Sequence, residues 1–290
     1  VKRFANPKDY NIYSAVMKSH QRSSIGNKTI EKYLLRHYKE PKDFQSFLYV
    51  SQLLQAYGIR LGAEAHRRNR ERCMGSLYWQ LNDCWPVASW SSIDYYGRWK
   101  ALHYEIKKAF SNVIVSHQLK NDTLSCFVVS DSLNSFSGTL QISIMDFNGK
   151  KLSTFNKNVV IESNSSIKHL NIPLNNYNKT ASFVKASLFV EQKIIAKSNY
   201  FFKPFKELDL NKPEIKFKIK RNKSNYILIL ETDLLALDVF LSLEKEHFFS
   251  DNYFDLIPGE KKQVILKIDK EIDEKYLYKN LKIITLADTY

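Results

Sequence analysis

The chain concentrates its chemistry in one place. Tyr78-Trp79-Gln80-Leu81-Asn82-Asp83-Cys84-Trp85-Pro86 runs on to Trp90-Ser91-Ser92-Ile93-Asp94-Tyr95-Tyr96-Gly97-Arg98-Trp99-Lys100-Ala101-Leu102-His103-Tyr104, and these two stretches hold all four tryptophans. A pyranose offers an apolar C–H face to stack and hydroxyls that want amide and carboxylate partners, so indoles beside Asn and Asp suit a sugar site. Trp79, Asn82, Asp83 and Trp85 are the candidate substrate-binding residues. Trp90 and Trp99 read as packing residues; the bland alternative is that all four tryptophans pack a domain junction. Other chemistries find no footing: there is no Walker loop, dinucleotide glycine fingerprint, His-Glu-x-x-His, Cys-x-x-Cys or Gly-x-Ser-x-Gly. His66, His103 and His117 show no ligand spacing, so neither a metal nor a cofactor is expected.

The elements around this stretch read as helices about one strand. Ile30, Tyr33, Leu34 and His37 share helical spacing over 27–37. Pro41 and a capping Asp43 open a longer helix toward Arg70 through Phe44, Phe47, Leu48, Val50, Leu53 and Leu54. Met74 to Leu81 is expected to be a strand buried on both sides, followed by a long loop and a helix over 98–110. Helix, buried strand, residue-rich loop, helix is the unit of a β/α fold, where sites gather at strand C-termini.

Composition changes near residue 115. Nine of the ten arginines and all the tryptophans precede it; Lys, Asn, Ser, Ile and Phe dominate after it. Short alternating stretches follow at 124–129, 140–145, 159–162, 169–172 and 184–190. After Pro204 and Pro213 come 215–219, 226–231, 239–243, 264–268 and 281–286, with Asn148-Gly149 and Pro258-Gly259 as turns. The expected organisation is a β/α segment over 1–115 and two immunoglobulin-like β-sandwiches over 116–205 and 206–290. Neither sandwich shows a tryptophan or tyrosine ladder, which favours a structural role over glycan binding.

Charge bounds the partners. Of 290 residues, 44 are Lys or Arg and 30 are Asp or Glu, a formal charge of +14, and residues 1–115 carry 19 of the former against 9 of the latter. The dense cluster Arg67, Arg68, Arg70 and Arg72 sits at a helix end, where the dipole favours cations, and reads as solvated or carboxylate-paired; no dedicated nucleic-acid partner is expected. Apolar residues at 44% exclude a disordered chain, and no run reaches the ~20 residues of a membrane span. Cys73, Cys84 and Cys126 make no disulfide framework.

The run Gly75–Tyr104 resembles the eighth barrel strand and following loop of the β-mannosidases of glycoside hydrolase family two. Gln52–Arg70 resembles the helix before that strand, and Phe249-Ser250-Asp251-Asn252-Tyr253-Phe254-Asp255-Leu256-Ile257-Pro258-Gly259-Glu260 is similar to the family's last immunoglobulin-like domain. The resemblance implies the C-terminal part of a (β/α)8 barrel followed by two immunoglobulin-like β-sandwiches. It implies retaining, exo-acting hydrolysis of terminal β-D-mannose, with a β-mannoside oligosaccharide or glycoconjugate as partner. Related β-glucosaminidases, β-glucuronidases and β-galactosidases share the architecture; a non-catalytic carbohydrate-binding module is the alternative of another class. Such hydrolysis takes two carboxyl groups ~5 to 5.5 Å apart. The family's two glutamate motifs do not occur here, and Val1-Lys2-Arg3-Phe4 resembles sequence just beyond the nucleophile. Both carboxylates are therefore expected in a missing N-terminal part of the same polypeptide, and the chain alone is expected to be inactive. Glu64 and Glu71 read as helix-surface charges and Asp94 as a loop residue. Asp83 is expected to bind a hydroxyl or orient a neighbour.

Overall fold

The structure, a computed structural model, describes residues 1–244, 247–268 and 273–290. Helices come first: α1 (Ala15–Ser19), α2 (Gly26–His37), α3 (Phe44–Arg68) and α4 (Ala101–Ala109). Asp43 caps α3 by accepting the Ser46 backbone N–H at 2.7 Å, which holds its carboxyl below the usual range. The strand expected over Met74–Leu81 is not formed. That segment has no ladder, and Leu77 is fully exposed rather than buried on both sides. A strand exists only through its neighbours' hydrogen bonds, and among the described residues 74–81 meet no partner strand beyond a bridge at Asn82 to Ile93.

The alternating segments form two sandwiches. The first pairs a three-stranded sheet, β1 (Val113–Lys120), β2 (Thr123–Ser130) and β5 (Ser165–Pro173), with a four-stranded sheet of β3 (Phe136–Asp146), β4 (Lys151–Ile161), β6 (Ser182–Val190) and β7 (Lys193–Phe201), ordered β4-β3-β6-β7. Leu124, Val128, Leu140, Ile142, Ile144, Val184 and Leu188 fill the space between its sheets. The second sandwich holds β8 (Ile215–Asn222), β9 (Asn225–Thr232), β10 (Ala236–Ser242), β11 (Phe248–Phe249), β12 (Phe254–Leu256), β13 (Lys262–Lys267) and β14 (Lys282–Ile284), with α5 (Glu274–Asn280) between the last two. Its sheets are β11-β13-β9-β8 and β12-β10-β14 around Leu228, Leu230, Val239, Val264 and Leu266. Both turn signals form where glycine supplies a positive φ: Gly149 at 86° and Gly259 at 81°.

Two compact units result. One comprises residues 1–58, 78–105 and 211–290; the other comprises 59–77 and 106–210. In the first, Tyr253 stacks on Phe240 at 4.8 Å and Tyr49 at 6.1 Å, and the Tyr49 hydroxyl donates to the Asp238 carbonyl. The motif residue Asn252 is buried and mimics a strand, accepting from Leu241 N–H at 2.8 Å and donating to its carbonyl at 2.9 Å. In the second unit, Arg67 and Arg70 each pair with Asp131 at 2.8 Å, so this part of the arginine cluster is carboxylate-paired. Glu64 is not the surface charge expected of it: mostly buried, it accepts from Ser116 Oγ at 2.8 Å and faces Arg60 and Arg68.

Candidate functional site

The aromatic run folds as a loop held by polar groups from within. Asp83 N–H donates to the Ile93 carbonyl at 3.1 Å and Ile93 N–H to the Leu81 carbonyl at 2.8 Å, which closes the base of the loop. Inside it the Asp83 carboxylate, its side chain 2% exposed, accepts from Ser89 Oγ, from Ser91 Oγ at 2.6 Å and from Lys100 Nζ at 3.4 Å. Ser91, fully buried, accepts a hydrogen bond from Lys100 Nζ at 2.7 Å while its own hydroxyl donates to Asp83, so it bridges the ion pair. Burial pulls the Lys100 ammonium below the usual lysine range, and Asp83 opposes that shift. Asp83 is thus a buried carboxylate that meets three donors from the loop itself.

Around this clamp the candidates divide. Trp85 is half-buried: its indole stacks on the His20 ring at 5.0 Å and lies 4.7 Å from the Arg22 guanidinium. His20 also stacks on Phe4 at 4.1 Å and bonds the Pro86 carbonyl through Nδ1, which assigns the ring proton to that nitrogen. Trp79 is the opposite case. It is 73% exposed, and no described residue stacks on it. Asn82 is exposed as well, its amide reaching the Asp83 carbonyl at 3.4 Å. Trp99 packs edge-on against His103 at 4.2 Å and Phe248 at 4.9 Å, in keeping with the packing role expected of it.

Sequence reasoning missed the groups that build the loop: Lys100, Ser89 and Ser91 around Asp83, and Ser92, which donates to the Leu81 carbonyl at 2.9 Å and meets Tyr78 Oη and His103 Nδ1, each at 3.0 Å. A lysine directly after Trp99 in an otherwise aromatic run was the available signal. Asp94, Tyr95, Tyr96 and Gly97 make a tight turn: Asp94 Oδ1 accepts from Tyr96 and Arg98 backbone N–H at 2.9 and 3.0 Å, and Gly97 takes φ 82°. That uses Asp94 structurally. Among the described residues no cluster of His, Cys, Asp and Glu could hold a metal ion.

Comparison with known proteins decides the family. Residues 122–207 match the Mannosidase Ig/CBM-like domain and residues 210–289 the Ig-fold domain of mannosidases. The crystal structure of the β-D-mannosidase from Dictyoglomus thermophilum superposes with a TM-score of 0.89 at 32% identity, covering 97% of this chain and 34% of that one. The chain belongs to the family-two β-mannosidases, as a C-terminal portion. β-Mannosidase B of Emericella nidulans is 26% identical over 95% of the chain and 35% of its own length. The β-mannosidase of Capra hircus is 26% identical over 100% of the chain and 36% of its own length. The chain therefore spans about a third of the length of the curated relatives it matches. The exo-chitosanase CsxA of Amycolatopsis orientalis, at 18% identity and a TM-score of 0.74, shares the fold.

Proposed function

We propose that this chain is the C-terminal part of a retaining, exo-acting β-mannosidase. In this reading residues 1–115 complete a (β/α)8 barrel whose remaining strands, with both catalytic carboxylates, belong to the part of the relatives' length outside the matched span. A barrel of this kind takes about 250 residues and eight strands, far more than the first segment holds. The observation that carries the proposal is the pairing of an exposed indole at Trp79 with a loop clamped four residues later by Asp83, Lys100 and Ser91. Leu77, Trp79 and Leu81 are exposed at alternate positions, the pattern of a strand face lacking its cover. With neighbours in place, Trp79 would lie at a strand C-terminus as the apolar floor of the terminal-sugar subsite, with Asn82 beside it to bond hydroxyls. Asp83 and Trp85 would then hold the loop.

The test uses a polypeptide of the relatives' full length carrying this chain, assayed on aryl β-mannoside, β-glucosaminide, β-glucuronide and β-galactoside. The mannoside should lead in kcat/KM. Preference for another glycoside transfers the reading to that β-glycosidase, and no turnover of any glycoside leaves a non-catalytic module. The 290-residue chain alone should not turn over aryl β-mannoside; glycosidase-level rates from it would overturn the placement of the carboxylates.

A further inference from the structure

The Trp79 indole is mostly exposed and no described residue stacks on it, so its place is set by the backbone on either side. That backbone converges on Ser92, which is fully buried. The Ser92 N–H donates to the Gln80 carbonyl at 3.0 Å and to the Leu81 carbonyl at 3.1 Å, its Oγ donates to the Leu81 carbonyl at 2.9 Å, and its own carbonyl accepts from the Lys100 N–H at 2.9 Å. Tyr78 Oη and His103 Nδ1 each meet the same Oγ at 3.0 Å. A hydroxyl has one proton to give and two acceptor sites. The Leu81 carbonyl can only accept, so the proton goes there, and the Tyr78 hydroxyl and His103 Nδ1–H therefore donate. Every polar atom of Ser92 is engaged, and the residues before and after Trp79 are tied to this one buried residue.

His103 is in turn seated from the second sandwich. Trp99 packs edge-on against His103 at 4.2 Å and against Phe248 of β11 at 4.9 Å, and the next residue along α4, Tyr104, donates its hydroxyl to the Phe249 carbonyl at 3.2 Å. We propose that Ser92 is the positioning residue for Trp79, held from the second sandwich through Phe248, Trp99 and His103. The inference rests on the reading of Trp79 as the floor of the terminal-sugar subsite. A ring that stacks on a sugar acts only where it is held, and a displacement of ~1 Å can cost ~100-fold in rate. Bonds in such a network support one another, so losing the Ser92 hydroxyl loosens Tyr78, Leu81 and His103 together. The second sandwich thereby acquires a part in the site, although none of its residues need touch the sugar.

The test is a double-mutant cycle in the full-length polypeptide on aryl β-mannoside, with melting temperatures measured beside the kinetics. Ser92→Ala should lower kcat/KM at least ~10-fold, and Tyr78→Phe, which keeps the ring and removes one donor, ~3-fold or more. In a Trp79→Ala background Ser92→Ala should cost less than ~2-fold further, because a residue that acts through the indole has nothing left to position. A serine that only supports folding lowers the folded fraction whatever stands at position 79, so losses that multiply would overturn the proposal. If Ser92→Ala does not fold, Tyr78→Phe carries the same cycle. Phe248→Ala should lower kcat/KM ~3-fold or more alone and less than ~2-fold after Ser92→Ala; multiplying losses would overturn the part given to the second sandwich. Amide hydrogen exchange of the 290-residue chain reads the bracing without turnover. Ser92→Ala should speed exchange at least ~10-fold at Asp83 and Ile93, whose N–H groups close the base of the loop, and leave Leu228 on the central strand β9 unchanged. Unchanged exchange at Asp83 and Ile93 would overturn the bracing itself. Faster exchange together with a full-length polypeptide that turns over no glycoside would instead remove the functional reading and support Ser92 as the residue that holds the segment around Trp79.

Discussion

Trp79 and Asp83 stand four residues apart and are opposites. The large apolar ring is mostly in water, whereas the small charged group is buried with Ser89, Ser91 and Lys100 around it. Hydrophobicity alone would place them the other way round. The difference separates what this chain builds for itself from what it offers outward: the polar interior of the loop is satisfied locally, and the apolar segment before it is not covered. In a sugar site the second kind of residue contacts the ligand and the first kind holds it in position.

That contrast can be broken from the polar side first. Asp83→Ala strands the Lys100 ammonium in a buried site and should cost about 3 to 5 kcal/mol in chemical unfolding of the chain. A loss below about 1 kcal/mol would mean that the clamp is not holding the loop.

Acid should act next, through a buried group that is less well satisfied. His117 bonds Ser198 Oγ at 2.8 Å through Nε2, but its Nδ1 has no partner among the described residues, and burial first, then Arg68 and Arg60, lower its pKa to about 3. The unfolded imidazole titrates near 6.5, so between about 6.5 and 3 the unfolded state binds more protons and stability falls as pH falls. The contribution is about 1.4 kcal/mol per pH unit inside that window. His117→Gln should flatten this acid limb in melting experiments across pH; an unchanged slope would contradict the assignment.

Two asparagines give the smallest contrast. Asn252→Ala leaves the Leu241 N–H and carbonyl without their side-chain partner in a buried site and should cost about 1 to 3 kcal/mol, whereas Asn82→Ala, on an exposed amide, should stay within about 0.5 kcal/mol. Similar losses for both, measured by thermal unfolding, would erase the distinction between fold and site residues.

Much of the fold is legible in the sequence because sandwich strands carry their own period. Leu140, Ile142 and Ile144 face the core while Gln141 and Ser143 do not. β1 and β7 escaped because the buried Ser116 and His117 and the half-buried Ser198 interrupt the apolar alternation with polar groups that bond each other or the end of α3. The strand expected over Met74–Leu81 failed for another reason. Its residues fit a buried strand, but burial and pairing are properties of neighbours, which a local pattern does not contain. At the site, residue types pointed to Trp79, Asn82, Asp83 and Trp85 as candidates, while the Lys100–Ser91–Asp83 bridge joins positions up to seventeen apart and only geometry shows it. Glu64 was misread for the same reason, since Ser116 lies on a strand the helix pattern does not know about.

The most direct test of the central claim replaces Trp79 by Ala in the full-length polypeptide and measures kcat/KM on aryl β-mannoside beside the melting temperature. If the indole floors the terminal-sugar subsite, the loss of a stack worth ~0.5 to 1.5 kcal/mol, together with lost transition-state positioning, should lower kcat/KM at least ~10-fold. The same change in the 290-residue chain, where the ring is 73% exposed, should leave stability within about 0.5 kcal/mol. Full-length Trp79→Ala that kept wild-type kcat/KM while losing the ~3 to 5 kcal/mol of a deleted core tryptophan would make the residue a packing group and contradict the account.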